Sequence, residues 1–159
     1  MTLVIRPAVP GDAALIHGFI RELADYEKLL HEVTATEADI AAMLFSDQPR
    51  VFCDIAELDG AAVGFALWFY NASTFLGRCG IYLEDLYVRP AARGVGAGRA
   101  LLRHLARRCA REGLGRLNWA VLDWNAPSIT FYDSLGAEAQ AEWVLRRLSG
   151  EALARLAAE

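Results

Sequence analysis

The stretch Tyr82–Arg111 reads YLEDLYVRPAARGVGAGRALLRHLARRCAR. Ile81 to Val88 is a mostly apolar strand pattern broken by an acidic pair, Glu84 and Asp85. Arg89-Pro90 turns the chain, a glycine-rich run follows from Arg93 to Gly98, and helical spacing then takes over. Strand, glycine loop and helix start together make an anion site. The first helical N–H groups lack intrahelical partners, the macrodipole adds partial positive charge there, and glycines let a phosphate approach the backbone. Arg89, Arg93 and Arg99 crowd the same helix start, where cations are disfavoured by roughly 0.3–1 kcal/mol each. A bound anion reverses that sign. The plain alternative is a glycine-softened loop with solvated arginines; the strand context and the arginine cluster weigh against it.

The chain around this stretch has 159 residues, 55% hydrophobic and 23% charged, which fits one domain over residues 1–159. A net charge of −4 gives no global basic field for nucleic acid. The longest apolar run, Ala61 to Tyr70, contains Gly64 and has strand length, so no membrane span is expected. Met1-Thr2-Leu3 leads directly into a strand pattern rather than a signal peptide. Cys53, Cys79 and Cys109 are odd in number and widely spaced, which argues against a disulfide framework and suits a reducing cytoplasm. His17, His31 and His104 form no metal-ligand spacing, so no metal is expected. No GxSxG elbow or CxxC motif is present, so a serine or cysteine nucleophile has no signature.

Periodicity and turn chemistry order the rest. Leu3 to Arg6 is a first strand, and Asp12 caps a helix that carries Leu15, Ile16, Phe19, Ile20 and Leu23 to about Lys28. Thr36 and Asp39 open a second helix that buries Ile40, Met43 and Leu44. Val51 to Leu58 and Ala61 to Ala72 are strands joined by the turn pair Asp59-Gly60. Asn71 to Gly80 reads as a loop. Beyond the organising helix, which Gly113 and Gly115 cap, come a strand from Arg116 to Leu122 and a short helix from Pro127 to Leu135. Trp143 to Leu148 reads as a last strand, and Ser149 caps a terminal helix. The order β-α-α-β-β-β-α-β-α-β-α predicts a mixed α/β fold around one sheet. The Glu84 strand crosses over in parallel to the Arg116 strand.

The loop chemistry narrows the anion. A Walker A loop requires GxxxxGK[ST], and no lysine or hydroxyl follows here; Lys28 is the sole lysine. A dinucleotide fingerprint requires GxGxxG, but glycines at 94, 96 and 98 place the third one residue early. What remains is Arg-x-x-Gly-x-Gly, Arg93 to Gly98. This segment resembles the acyl-CoA pyrophosphate loop of the GNAT superfamily of N-acetyltransferases, and the element order is similar to that fold. YLEDLYV, RGVGAGRALL and VLDWNAPSITFYDSLGA resemble the corresponding parts of the spermidine/spermine and thialysine N-acetyltransferases. IRPA and RELADYEKL extend the resemblance toward the N-terminus, so it spans most of the chain.

The resemblance implies an enzyme that moves acetyl from acetyl-CoA to a primary amine of a small molecule, as a homodimer. It implies that Arg93, Gly94, Val95, Gly96, Ala97, Gly98 and Arg99 surround the pyrophosphate. Leu86, Tyr87 and Val88 would hold the pantetheine by backbone pairing, while their side chains also suit the core. Tyr132 would be the general acid toward the CoA thiolate, and Glu84 the acid that takes the ammonium proton through water. Asp85, facing away by strand alternation, is assigned a structural hydrogen bond. Asn125 and Ser128 would contact the cofactor; capping of the Pro127 helix is their other role. Tyr26 and Glu27 would line the amine pocket, or form the exposed end of the first helix. Asn118, Trp119 and Ala120 would border the acceptor. Arg99, Arg103, Arg107 and Arg111 fall on one helical face and read as a solvated stripe.

Polyamine-acetylating members carry an acid near Ser73 and Thr74, and the loop NASTFLGR has none. That weighs against spermidine and spermine and leaves shorter diamines, lysine-like amines or an unrelated primary amine open. A protein or peptide acetyltransferase and a non-catalytic acyl-CoA sensor are the rival readings.

Overall fold

The computed structural model describes all 159 residues. They divide into two compact units, Met1–Leu122 and Asp123–Glu159. The first unit holds a five-stranded sheet in the order β1 (Leu3–Pro7), β2 (Phe52–Leu58), β3 (Ala61–Ser73), β4 (Arg78–Val88) and β5 (Leu117–Trp119). The first four strands are antiparallel neighbours, and β4 and β5 run parallel. The crossover between them is α3 (Ala97–Glu112), as the sequence predicts.

The two faces of the sheet are covered differently. Strand alternation sends Cys53, Ile55, Phe65 and Leu67 toward α1 (Ala13–Tyr26) and α2 (Glu37–Phe45), where they meet Ile16, Phe19, Ile40 and Leu44. Phe19 stacks on Phe65 with ring centroids 5.5 Å apart. The opposite face carries Asp54 and Trp68, met by His104 and Arg108 of α3. Buried Leu101, Leu102 and Leu105 anchor that helix. Burial of this kind contributes roughly 1.5–3 kcal/mol per large apolar side chain.

Turn chemistry sets the connections. Asp59 and Gly60 both have positive φ, 50° and 81°, the two left-handed residues that a tight hairpin demands. Thr36 and Asp39 form the expected reciprocal capping box of α2: Asp39 N–H donates to Thr36 Oγ1 at 3.2 Å, and Thr36 N–H donates to Asp39 Oδ2 at 2.8 Å. Gly113 ends α3 with φ 68°.

Several expectations change. Asp12 does not cap α1 with its side chain; its carboxylate instead takes Arg6 at 2.7 Å and the Val9 N–H at 2.8 Å. Met43 is exposed rather than buried. The loop expected over residues 71–80 shrinks to 74–77, because β3 and β4 keep pairing through Asn71↔Gly80 and Ser73↔Arg78. The strand expected over residues 116–122 stops at Trp119. The second unit contains α4 (Ala126–Asp133) and α5 (Gly150–Ala157). Trp143–Leu148, expected as a strand, forms no strand and joins no sheet. Its apolar side chains lie open, Leu145 at 77% exposure.

Candidate active site

The glycine loop is shaped by two left-handed residues, Gly94 at φ 82° and Gly96 at φ 87°. Gly96 is the N-cap of α3 and supplies no side-chain cap, and no acidic residue occupies the first turn. The leading N–H groups of a sixteen-residue helix therefore have no capping carboxylate or hydroxyl. Space is open where a Cβ would stand at Gly94 and Gly96, so a ligand can reach their backbone. Ala97 is buried and seats the turn, while Arg99 is exposed beside it and Val95 and Gly98 lie half-buried. These residues fit a pyrophosphate.

The three arginines near the loop divide their work. Arg89 is tied to Glu22 by two N–H groups, at 3.1 and 2.8 Å, and lies over Phe19; its charge is already matched. Arg93 donates from Nε to the Val88 carbonyl at 3.0 Å, with its guanidinium 5.2 Å from the Tyr26 ring and 5.9 Å from that of Tyr87. Arg93 thus joins the end of β4 to the end of α1. Only Arg99 projects from the first turn of α3.

The second half of the site is a divergence of strands. Parallel pairing runs through Ile81↔Leu117, Tyr82↔Asn118 and Leu83↔Trp119 and ends there. On its other edge β4 stays paired with β3 up to Gly64↔Val88. Leu86, Tyr87 and Val88 therefore have one edge without a neighbouring strand, and its backbone groups suit the amides of a pantetheine. The side chain of Tyr87 is buried against Phe19, so backbone and side chain serve different purposes. Gly64 permits the close approach of β3, since a Cβ there would collide with the Tyr87 carbonyl.

At the divergence sit three carboxyl groups. The register steps from Trp68↔Leu83 to Leu67↔Asp85, leaving Glu84 as the extra residue of a β-bulge. The bulge disrupts the alternation that would separate Glu84 from Asp85. Burial lifts the Asp85 carboxyl to about 7, with the charges of Glu84 and Glu27 adding to the rise. No hydrogen bond holds that carboxyl, so the structural bond expected of Asp85 is not there. Glu27, just past the end of α1, is also raised by burial, and Glu84 is exposed. A group of this kind attracts a cation and can accept a proton near neutral pH. Sequence alone missed Asp85 because nothing in it marks the bulge; two adjacent acids in an apolar strand are the one visible hint.

The other named residues are placed as follows. Asn118 and Trp119 lie half-buried on β5, and Ala120 is exposed just beyond it. The Asn118 Oδ1 atom is buried with no hydrogen-bond partner. Asn125, Ser128 and Tyr132 belong to the second unit. There Asn125 is buried and accepts the Ser128 N–H at 3.4 Å, the capping role that Pro127 in the first turn complements. Tyr132 lies half-buried in the last turn, its ring centroid 5.5 Å from that of Phe131. No group of three His, Cys, Asp or Glu side chains has a metal-holding arrangement. No helix is long and apolar enough to cross a membrane.

A mixed sheet whose fourth and fifth strands part, followed by an uncapped glycine loop, defines an acyl-CoA N-acyltransferase. The chain belongs to the Acetyltransferase (GNAT) family, whose model matches residues 17–137. It is 39% identical to a thialysine N-epsilon-acetyltransferase of Bos taurus, over 98% of this chain and 97% of that protein. It is 31% identical to the L-ornithine N5-acetyltransferase NATA1 of Arabidopsis thaliana, over 94% of this chain and 85% of the relative. An integron cassette protein from the mobile metagenome of V. cholerae shares the fold at a TM-score of 0.83 and 28% identity, covering 100% of this chain and 99% of its own. The protein is an acetyl-CoA-dependent N-acetyltransferase.

Proposed function

We propose that this enzyme acetylates the terminal aliphatic amine of a small molecule, with a lysine-like amino acid or short diamine as acceptor. The observation that carries the reading is the carboxyl trio Glu27, Glu84 and Asp85 where β5 leaves β4. It gives an ammonium ion a place to dock and its proton a place to go. The thialysine and ornithine acetyltransferases, at 39% and 31% identity, support an acceptor of that size.

In this reading Tyr26 and Glu27 line the amine pocket and Asn118, Trp119 and Ala120 border it. The ammonium proton leaves through water into the Glu84–Asp85 pair, Glu84 being the water-side member. The neutral nitrogen then attacks the thioester carbonyl, a C–N bond forms, and the C–S bond breaks. Tyr132 gives its proton to the departing thiolate, and the second proton released from the acetylated nitrogen restores the Tyr132 hydroxyl through water. Transfer is direct within a ternary complex. Leu86, Tyr87 and Val88 hold the pantetheine, Arg93 to Arg99 the pyrophosphate, and Asn125 and Ser128 also touch the cofactor.

Residues 1–159 act as one acetyltransferase domain, in keeping with a family match over residues 17–137 that crosses from the first unit into the second. The open apolar run Trp143–Leu148 supports a homodimer. Three free cysteines support a cytoplasmic setting. A thiol-release assay with lysine analogues, ornithine, diamines, polyamines and peptides tests the acceptor. Release with an amino acid or diamine at least tenfold above peptides supports the reading; preference for a peptide N-terminus or protein lysine sinks it.

A further inference from the structure

At the Phe52 end of β2, between α2 and α3, lies a half-open cavity of about 180 Å³ lined by Phe52, Asp54, Trp68, Tyr70, Leu44 and Arg108. A water occupies roughly 30 Å³ of liquid, so this space suits a small metabolite and excludes a coenzyme. Its two charges are held in place by one side chain. Trp68 Nε1–H donates to Asp54 Oδ2 at 2.8 Å, and the Trp68 ring lies 5.0 Å beneath the Arg108 guanidinium. Glu112 fixes Arg108 from outside, at 2.9 Å from Nη1, and takes the Tyr70 hydroxyl at 2.8 Å. Phe52 stacks on Trp68 with centroids 4.8 Å apart.

Polar capacity in this cluster is left over. Asp54 is 3% exposed, yet its second oxygen has only His104 Nε2 near it, at 3.4 Å, too long and poorly aimed for a hydrogen bond. Arg108 Nε–H is buried and has no acceptor. Buried polar groups are almost always matched, so an Arg108 Nε–H without an acceptor, beside a carboxylate with one oxygen outside any hydrogen bond, calls for a ligand. Charge decides which ligand. A simple cation meets Arg108, a simple anion meets Asp54, and an apolar molecule satisfies neither. A molecule with both charges and an apolar remainder matches both and fills the aromatic wall.

We propose that this cavity is a second small-molecule site, for a zwitterionic α-amino acid with an apolar side chain, its ammonium on Asp54 and its carboxylate on Arg108. The site is distinct from the acetyl-transfer machinery and shares no residue with it.

The test is calorimetric titration of the full chain with L-leucine, L-phenylalanine, N-acetyl-L-leucine and L-leucinamide. Saturable binding of leucine or phenylalanine is expected, with each blocked leucine derivative weaker by about 10-fold or more, the value of one charge-assisted contact. Arg108→Gln should lose amino-acid binding while still binding acetyl-CoA, which shows that the variant is folded. Asp54→Asn should do the same, and if it fails to fold, Arg108→Gln alone decides. No binding of either amino acid, equal binding of the blocked forms, or leucine binding that survives Arg108→Gln overturns the proposal. The last result would place leucine in the acceptor pocket instead.

Discussion

Glu84 is the extra residue of the β4 bulge, and its charge helps hold the neighbouring Asp85 carboxyl at about 7. The two acids are one electrostatic unit, although an unbroken strand would send them to opposite faces. Glu27 joins them from the end of α1. An ammonium ion placed among them would relieve this repulsion, which is the basis of the proposed acceptor role.

The cluster has a stability signature. Asp85 binds its proton more tightly in the folded chain than in the unfolded one, so stability falls as pH rises from about 4 through about 7. Asp85→Asn removes the penalty. The variant should melt above wild type at pH 8 and lose that advantage by pH 4. A melting difference that is flat between these pH values would contradict the placement of Asp85.

Tyr132→Phe removes only a hydroxyl. Turnover should fall by about 100-fold or more, the usual scale of general acid catalysis, while acetyl-CoA binding stays within a factor of about two. The check is kcat beside a direct titration with the cofactor. Unchanged turnover removes Tyr132 from the acid role.

Gly96→Ala tests the loop. The added methyl meets nothing within 4 Å, so its cost is confined to the φ of 87°. That strain is about 1–2 kcal/mol, seen as a lower melting temperature. Relaxing it shifts the first N–H groups of α3, so KM for acetyl-CoA should rise several-fold with the acceptor KM little changed.

Arg89→Met separates structural from cofactor arginines. Arg89 is matched by Glu22 at 2.8 Å, so the change should lower stability by about 1 kcal/mol and leave KM for acetyl-CoA alone. Arg99→Met should do the reverse. Parallel melting curves and cofactor titrations distinguish them.

Most of the framework was legible in the sequence, and so was the glycine loop of the candidate site. Alternation in β2 and β3, the Asp59-Gly60 turn and Gly113 after α3 are local signals, and each survives in the structure. The glycine loop is also local: its spacing marked an anion site, and the resemblance to a known family named the anion. Pairing is not local. Polar Asn71 and Ser73 read as loop, yet the partner strand carries them to Gly80 and Arg78. Trp143–Leu148 has a strand composition but no partner in its own chain to make it one. The bulge at Glu84 arises from register against Leu67 and Trp68, fifteen and more residues away, which is why the sequence did not show Asp85 grouped with Glu84.

The central claim is that the carboxyl trio receives the amine. Its most direct test is steady-state kinetics of Glu27→Gln and Asp85→Asn with the best acceptor of the amine panel. The account predicts that each raises the acceptor KM or lowers kcat/KM by about 10-fold or more, with KM for acetyl-CoA within about twofold of wild type. Unchanged acceptor kinetics in both variants, or an equal loss for acceptor and cofactor, would contradict it.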